Sequence, residues 1–141
     1  MAAFEMPLTV RFQHCDPAGI VFYPRYFEMF NLLVETWFDE ALGLPFGELH
    51  LNRGFGVPTV RTEADFKAPS RLDEKLTLSL TVQDIGRSKI SLLLQVLGPD
   101  GDLRVAANHV LVYAAFDPMR AAAIPEELKT RMQRFQAVPA K

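Results

Sequence analysis

The run His14-Cys15-Asp16-Pro17-Ala18-Gly19-Ile20-Val21-Phe22-Tyr23-Pro24-Arg25-Tyr26 is where residue type and spacing best support chemistry. Asp16 lies among turn formers, a few residues before Pro24. Proline is favoured at the first position of a helix, because the N–H it lacks would have no partner there. A helix N-terminus carries unpaired N–H groups and a partial positive charge, so it can polarise a carbonyl oxygen. A carboxylate beside such donors is equipped to act as nucleophile or general base in acyl transfer. The same residue types also make a plain Asx turn ahead of Pro17, and on loop composition alone that is the simpler reading.

Other chemistries find less support. Gly86-Arg87-Ser88-Lys89-Ile90 echoes only part of a nucleophile elbow, and Gly54-Phe55-Gly56 lacks the third glycine of a dinucleotide fingerprint. The three histidines and single cysteine have no zinc-ligand spacing, so no metal is expected. His14 and His109 read as packed or surface histidines, and Cys15 as a small buried side chain. Arg87 and Lys89, beside the Gly86 turn, form a short cationic patch that suits phosphates, or equally a solvated hairpin tip.

The elements that must position these residues can be read from the hydrophobic period. Leu8, Val10 and Phe12 alternate with polar residues, which predicts a strand over 8–14 with one buried face. Helical spacing runs from Pro24 to Leu42, with Gly43 as its stop. Tyr26, Phe30, Leu33, Trp37 and Ala41 form one stripe, widened by Phe27, Val34, Phe38 and Leu42. A helix apolar over so much of its circumference needs enclosing. A loop from Gly43 to Gly56 leads to four alternating segments, around Val60–Lys67, Leu76–Gln83, Ile90–Val96 and Leu103–Phe116. Short links at Asp84–Arg87 and Gly98–Gly101 make these antiparallel hairpins, and Pro125-Glu126-Glu127 opens a short terminal helix. The economical packing is one antiparallel sheet wrapped around one buried helix, an α+β fold. Its open sheet edge predicts self-association.

Composition bounds the function. The 141 residues, 49% hydrophobic and 23% charged, suit a single domain over 1–141. The net charge of −2 gives no basic surface for nucleic acid. Apolar runs fall far short of a membrane span, the N-terminus has no signal-like pattern, and one cysteine fits a reducing compartment. The expectation is a cytoplasmic protein with no membrane and no nucleic-acid partner.

Residues Asp16 to Tyr26 resemble, without a gap, the Asp-Pro-Ala-Gly-Ile-Val-aromatic-Tyr-Pro-x-Tyr signature of the 4-hydroxybenzoyl-CoA thioesterase family of hotdog-fold proteins. The Gly43-Leu44-Pro45 helix exit, the Arg53-Gly54…Pro58 approach to the next strand and the following hairpins also fall in that family's order, over roughly 7–120. The resemblance implies a hotdog fold, with the helix as sausage and the curled sheet as bun, and active sites between paired subunits. It implies that Asp16 is the catalytic carboxylate and that the backbone N–H of Tyr23 polarises the thioester carbonyl. It implies that Gly19, Phe27, Asn31, Val57 and Pro58 face the substrate, and that Arg87 and Lys89 contact the nucleotide of coenzyme A. Coenzyme A is then part of the substrate, and no separate cofactor is expected. A tyrosine at 23, where short-chain acyl-CoA relatives often carry histidine, tilts the implied substrate toward aromatic acyl groups. Asn31, four residues beyond Phe27 on the same helix face, stands where hydroxybenzoyl-CoA enzymes tend to carry aspartate, so the charge that would meet a ring hydroxyl is absent.

The resulting expectation is an acyl-CoA thioesterase acting as a dimer or tetramer. A hotdog dehydratase is disfavoured, because no histidine follows Asp16 on the helix. A non-catalytic acyl-CoA-binding or assembly module is the alternative outside enzymology. Glu28 and Glu35 on the helix read as solvated or interfacial.

Overall fold

The computed structural model describes residues 3–137. In chain order these form β1 (Phe4–Thr9), α1 (Pro24–Thr36), β2 (Phe55–Gly56), β3 (Thr59–Phe66) and β4 (Lys75–Ile85). Then come β5 (Lys89–Leu97), β6 (Leu103–Val112), β7 (Ala114–Ala115), β8 (Arg120–Ala121) and α2 (Glu126–Gln133). The main sheet is antiparallel throughout, in the order β1-β4-β5-β6-β3, with β3 and β1 at its edges. The tight turns that the Gly-rich links promised close its hairpins: Gly86 N–H donates to Lys89 O at 2.8 Å, and Gly98 N–H to Asp102 O at 2.8 Å.

Alternation along the strands decides which face meets the helix. Leu76, Leu78, Leu80 and Val82 of β4, Ile90, Leu92, Leu94 and Val96 of β5, and Val105, Ala107 and Leu111 of β6 are all buried. Tyr26, Met29, Phe30, Leu33 and Val34 of α1 share that core, and a π-helical turn over Trp37–Ala41 carries the helix on with Trp37 and Phe38 inside it. Each such large apolar side chain contributes about 1.5–3 kcal/mol on burial, so the enclosed helix is the chief reason the sheet curls around it. Gly43, at φ 67°, ends the helix in the left-handed conformation that a Cβ would penalise.

Four local expectations change. The ladder of β1 with β4 ends at Thr9, so the chain turns through Phe12–His14 instead of extending to residue 14, and Phe12 is 84% exposed. A bulge between Thr59 and Arg61 throws Val60 outward, leaving it 60% exposed. The Gly43–Gly56 loop contains a helical turn over Gly47–Asn52, anchored by buried Leu49. The last strand breaks at Tyr113, after which Ala114–Ala115 leaves the main sheet to pair with Phe55–Gly56 and Arg120–Ala121.

Candidate active site at the start of the apolar helix

Asp16 sits in a small hairpin of its own. Phe22 N–H donates to His14 O at 2.9 Å, Cys15 bridges Val21, and Asp16 N–H donates to Ile20 O at 3.0 Å. Gly19, at φ 84°, closes the turn with its N–H on Asp16 O at 2.9 Å. The Asp16 Oδ1 accepts Ala18 N–H at 2.9 Å, so the Asx turn expected from composition is present. That turn occupies one carboxylate oxygen; among the described residues the other has no hydrogen-bond partner.

The hairpin delivers the chain straight into α1. Pro24 at the first helical position has no N–H, Arg25 N–H returns to Phe22 O at 2.8 Å, and Tyr26 N–H returns to Tyr23 O at 3.1 Å. Among the described residues the N–H of Tyr23 donates to no protein acceptor. It is an open donor at the positive end of the helix, three residue steps, or roughly 10 Å of extended backbone, beyond Ile20, whose carbonyl takes Asp16 N–H.

An apolar cleft of about 240 Å³ opens beside it, lined by Ile20, Val21, Tyr23, Tyr26, Phe66 and the Lys67–Pro69 segment. Phe66, from the end of β3, anchors this wall: its ring lies 6.1 Å from that of Tyr23, 5.9 Å from Tyr26 and 6.3 Å from Phe27. Tyr26 is buried, which pushes its phenol up, and its hydrogen bonding to Ser70 works against that shift. Ser70 is fully buried and accepts Val21 N–H on its carbonyl at 2.9 Å. Sequence reasoning missed Tyr26, Phe66 and Ser70 as site residues. Phe66 carried a signal as the last inward aromatic of an alternating strand, whereas Ser70 carried none.

The structure therefore brings Asp16, Gly19, Tyr23 and Phe27 together. Asn31 lies one helical turn further on, exposed at the protein surface. Val57, Pro58, Arg87 and Lys89 lie elsewhere. Pro58 O accepts Val112 N–H at 3.1 Å, and Val112 pairs with Lys89, so all four group at the β4–β5 turn. The Asp16 hairpin rests against Ser70 and Arg71, at the opposite end of β4. The 11 residues of β4 span about 33 Å, so one protomer cannot bring the two groups onto one small molecule's reactive centre.

At that far end the Arg87 turn is held rigidly: its carbonyl accepts Ile124 N–H at 2.8 Å, and Ser88 O accepts Tyr113 N–H at 2.8 Å. The side chains of Arg87 and Lys89 project into solvent. A second cleft, of about 230 Å³, lies nearby between Gly43, Arg53 and the start of α2. Its cations are already engaged, Arg131 by Leu42 O and Glu127 at 2.6 Å each, and Arg53 by Glu48 at 3.2 Å. No helix among the described residues is long and apolar enough to cross a membrane.

The chain is similar in sequence and fold to known proteins. The 4-hydroxybenzoyl-CoA thioesterase of Pseudomonas sp. (strain CBS-3) is 28% identical over 127 residues, covering 86% of this chain and 90% of the relative. The 1,4-dihydroxy-2-naphthoyl-CoA hydrolase of Acaryochloris marina (strain MBIC 11017) is 23% identical over 131 residues, covering 90% and 93%. Among solved structures, a 4-hydroxybenzoyl-CoA thioesterase mutant complexed with 4-hydroxybenzoyl-CoA superposes with a TM-score of 0.85 at 27% identity, over 94% of this chain and 99% of that one. The family model described as "Thioesterase-like superfamily" matches residues 10–132. With the enclosed helix, the curled antiparallel sheet and this match over most of its length, the chain belongs to the thioesterase-like superfamily, the hotdog-fold acyl-CoA thioesterases that its Asp16–Tyr26 run resembles.

Proposed function

We infer that this chain is an enzyme, an acyl-CoA thioesterase that hydrolyses an aromatic acyl-CoA to the free acid and coenzyme A, with Asp16 as nucleophile or general base. One observation carries the assignment of chemistry to residues. The free carboxylate oxygen of Asp16 is held by an Asx turn in the same small hairpin that leads to the open N–H of Tyr23 at the start of α1. A thioester oxygen accepting from Tyr23 N–H gains its strongest stabilisation as charge builds during attack. As general base, Asp16 takes a proton from water as the water oxygen bonds to the acyl carbon, and the proton then passes to the departing thiolate. As nucleophile, its oxygen bonds to the acyl carbon while the C–S bond breaks and coenzyme A leaves as thiolate; water then cleaves the acyl anhydride, giving the free acid, restoring the Asp16 carboxylate and supplying the proton that the thiolate takes up.

The aromatic lining of the adjoining cleft supports an aryl acyl group. So do the aryl-CoA substrates named for the similar proteins. Asn31 offers an uncharged donor and acceptor on the surface of α1 and favours a ring that does not demand a carboxylate partner.

Two protomers complete the site in this reading. β3 is an unpaired edge strand, with Arg61, Glu63 and Asp65 on its outer face. Antiparallel pairing of two β3 strands about Thr62 would set Arg61 opposite Glu63 of the partner subunit. It would also bring the Arg87 end of one protomer toward the Asp16 end of the other. Coenzyme A then reaches from the phosphate-binding Arg87 and Lys89 of one chain to Asp16 of its mate, past Val57 and Pro58. The test is a panel of benzoyl-, hydroxybenzoyl-, phenylacetyl- and straight-chain acyl-CoAs, read by release of free thiol. Turnover confined to aryl thioesters is expected. Binding without thiol release across the panel would instead indicate an acyl-CoA-binding module.

A further inference from the structure

We propose that Arg104 is a positioning residue for the thioesterase reaction, holding the Asp16 hairpin in register through the segment beneath it. The proposal rests on Asp16 being the reacting carboxylate. Arg104, on β6, is only 8% exposed, and its guanidinium is engaged by protein acceptors. Its Nε donates to Asp102 Oδ2 at 2.6 Å. Its Nη1 donates to Pro69 O at 2.9 Å, Ser70 Oγ at 3.1 Å and Glu74 Oε1 at 2.9 Å, and its Nη2 to Glu74 Oε2 at 3.1 Å. Its carbonyl also accepts the N–H groups of Lys67 at 2.8 Å and Ala68 at 3.2 Å.

Every one of these partners except Asp102 belongs to the segment between β3 and β4. That segment is the floor on which the Asp16 hairpin lies. Ser70 O takes Val21 N–H at 2.9 Å, and Ile20 bridges Arg71. Val21 in turn pairs with Cys15, and Ile20 O takes Asp16 N–H. Three hydrogen-bonded steps thus join the guanidinium to the Asp16 backbone, while Lys67–Pro69 form one wall of the apolar cleft.

A planar fork suits this work, because it fixes direction as well as distance at several acceptors at once. The neighbouring backbone is shaped to it: a Cβ at Gly98 would overlap both the Asp102 carboxylate and the Arg104 guanidinium. Glu74 is held below the usual carboxylate range, chiefly by its hydrogen bonds from Arg104. Only the Arg104 end of these ion pairs is buried, and what its fork supplies is direction, which a reacting group needs.

The experiment compares Arg104→Met, Arg104→Lys and Ser70→Ala with the parent enzyme and with Asp16→Asn, each assayed well below its own melting temperature. Arg104→Met should lower kcat by about tenfold or more and leave KM within about threefold, the pattern of a displaced reacting group. Arg104→Lys should recover part of that loss. Ser70→Ala, which leaves the ion pairs in place, should lower kcat in the same sense. Placed on top of Asp16→Asn, Arg104→Met should change the residual rate by less than about twofold, since two residues acting through one group are not additive.

Losses that multiply in the double variant, or an Arg104→Met enzyme with near-normal kcat, would overturn the positioning role while leaving Asp16 as the reacting group. Should Arg104→Met fail to fold, an unchanged kcat in Ser70→Ala overturns it equally. Near-normal kcat in Asp16→Asn alone would instead remove the reading on which the proposal rests.

Discussion

In the proposed mechanism Asp16 divides two tasks between its two carboxylate oxygens. Oδ1 closes the turn through Ala18 N–H, a job that an amide oxygen does as well. Changing Asp16→Asn should therefore cost little melting temperature, because the acceptor survives and only the charge leaves. The same change removes nearly all basicity and nucleophilicity, so kcat should fall by roughly a hundredfold or more, the usual scale for losing a base. Measuring kcat and melting temperature on one preparation separates the tasks; normal turnover would reduce Asp16 to a turn former. His109 shows a different residue-scale effect. It is buried, with Nε2 3.1 Å from Thr59 Oγ1 and Nδ1 without a partner among the described residues. Burial holds its imidazole below the ordinary value, since charging it would strand a cation away from water. The unfolded chain thus takes up a proton near pH 6.5 that the folded chain resists. Stability from the neutral ring is complete above that pH and drains away as pH falls through the folded value. Thermal unfolding between about pH 7.5 and 5 should show a shallower acid loss in His109→Gln than in the parent, and parallel curves would contradict this.

The β4–β5 turn is the element on which the coenzyme reading depends. Its backbone is pinned twice, at Arg87 O and Ser88 O, so its two exposed cations can be removed without loosening the hairpin. Arg87→Ala with Lys89→Ala should raise KM for acyl-CoA while leaving truncated pantetheine thioesters almost unaffected. Removing each cation from its phosphate should weaken binding by on the order of 1 kcal/mol. Equal effects on both substrates would place these cations in the fold or the chemistry. At this scale the sequence told most about what repeats. The enclosed helix and the hairpin pairing follow from apolar spacing and turn residues, and both are present. Where elements end was less legible, because that depends on partners distant in the chain. β1 stops at Thr9 because β4 begins at Lys75, and Val60 turns outward because of a bulge that alternation cannot reveal. In the same way the Asp16–Tyr26 run was visible as a motif, whereas the Arg104–Glu74–Ser70 support beneath it joins residues some thirty positions apart and has no local pattern.

Across the whole molecule, the fold separates the two groups that the proposed reaction would join. Asp16 and the open helix N-terminus lie at one end of a strand about 33 Å long, and the Arg87 turn lies at the other. The proposed two-fold pairing of edge strands would reverse one protomer against the other, so each end would meet its complement and two identical sites would arise. Subunit exchange tests this directly. Homodimers of Asp16→Asn have no working carboxylate, and homodimers of Arg87→Ala with Lys89→Ala bind coenzyme A poorly. Mixing the two, by unfolding and refolding together, produces mixed dimers for about half the population. In each mixed dimer one site pairs an intact Asp16 with the intact Arg87 and Lys89 of the other chain, and its twin carries both defects. At acyl-CoA well below KM, the mixture should regain roughly a quarter of parental activity, far above the sum of the two separate preparations. If both ends of one protomer served the same site, no mixed dimer would contain an intact one and the mixture would stay as inactive as its parts. Sedimentation of the refolded mixture, with a Thr62→Pro variant that breaks β3 pairing as the control, shows whether recovery follows the dimer. An active monomer of 15.9 kDa would end the shared-site reading, whatever the exchange experiment gave.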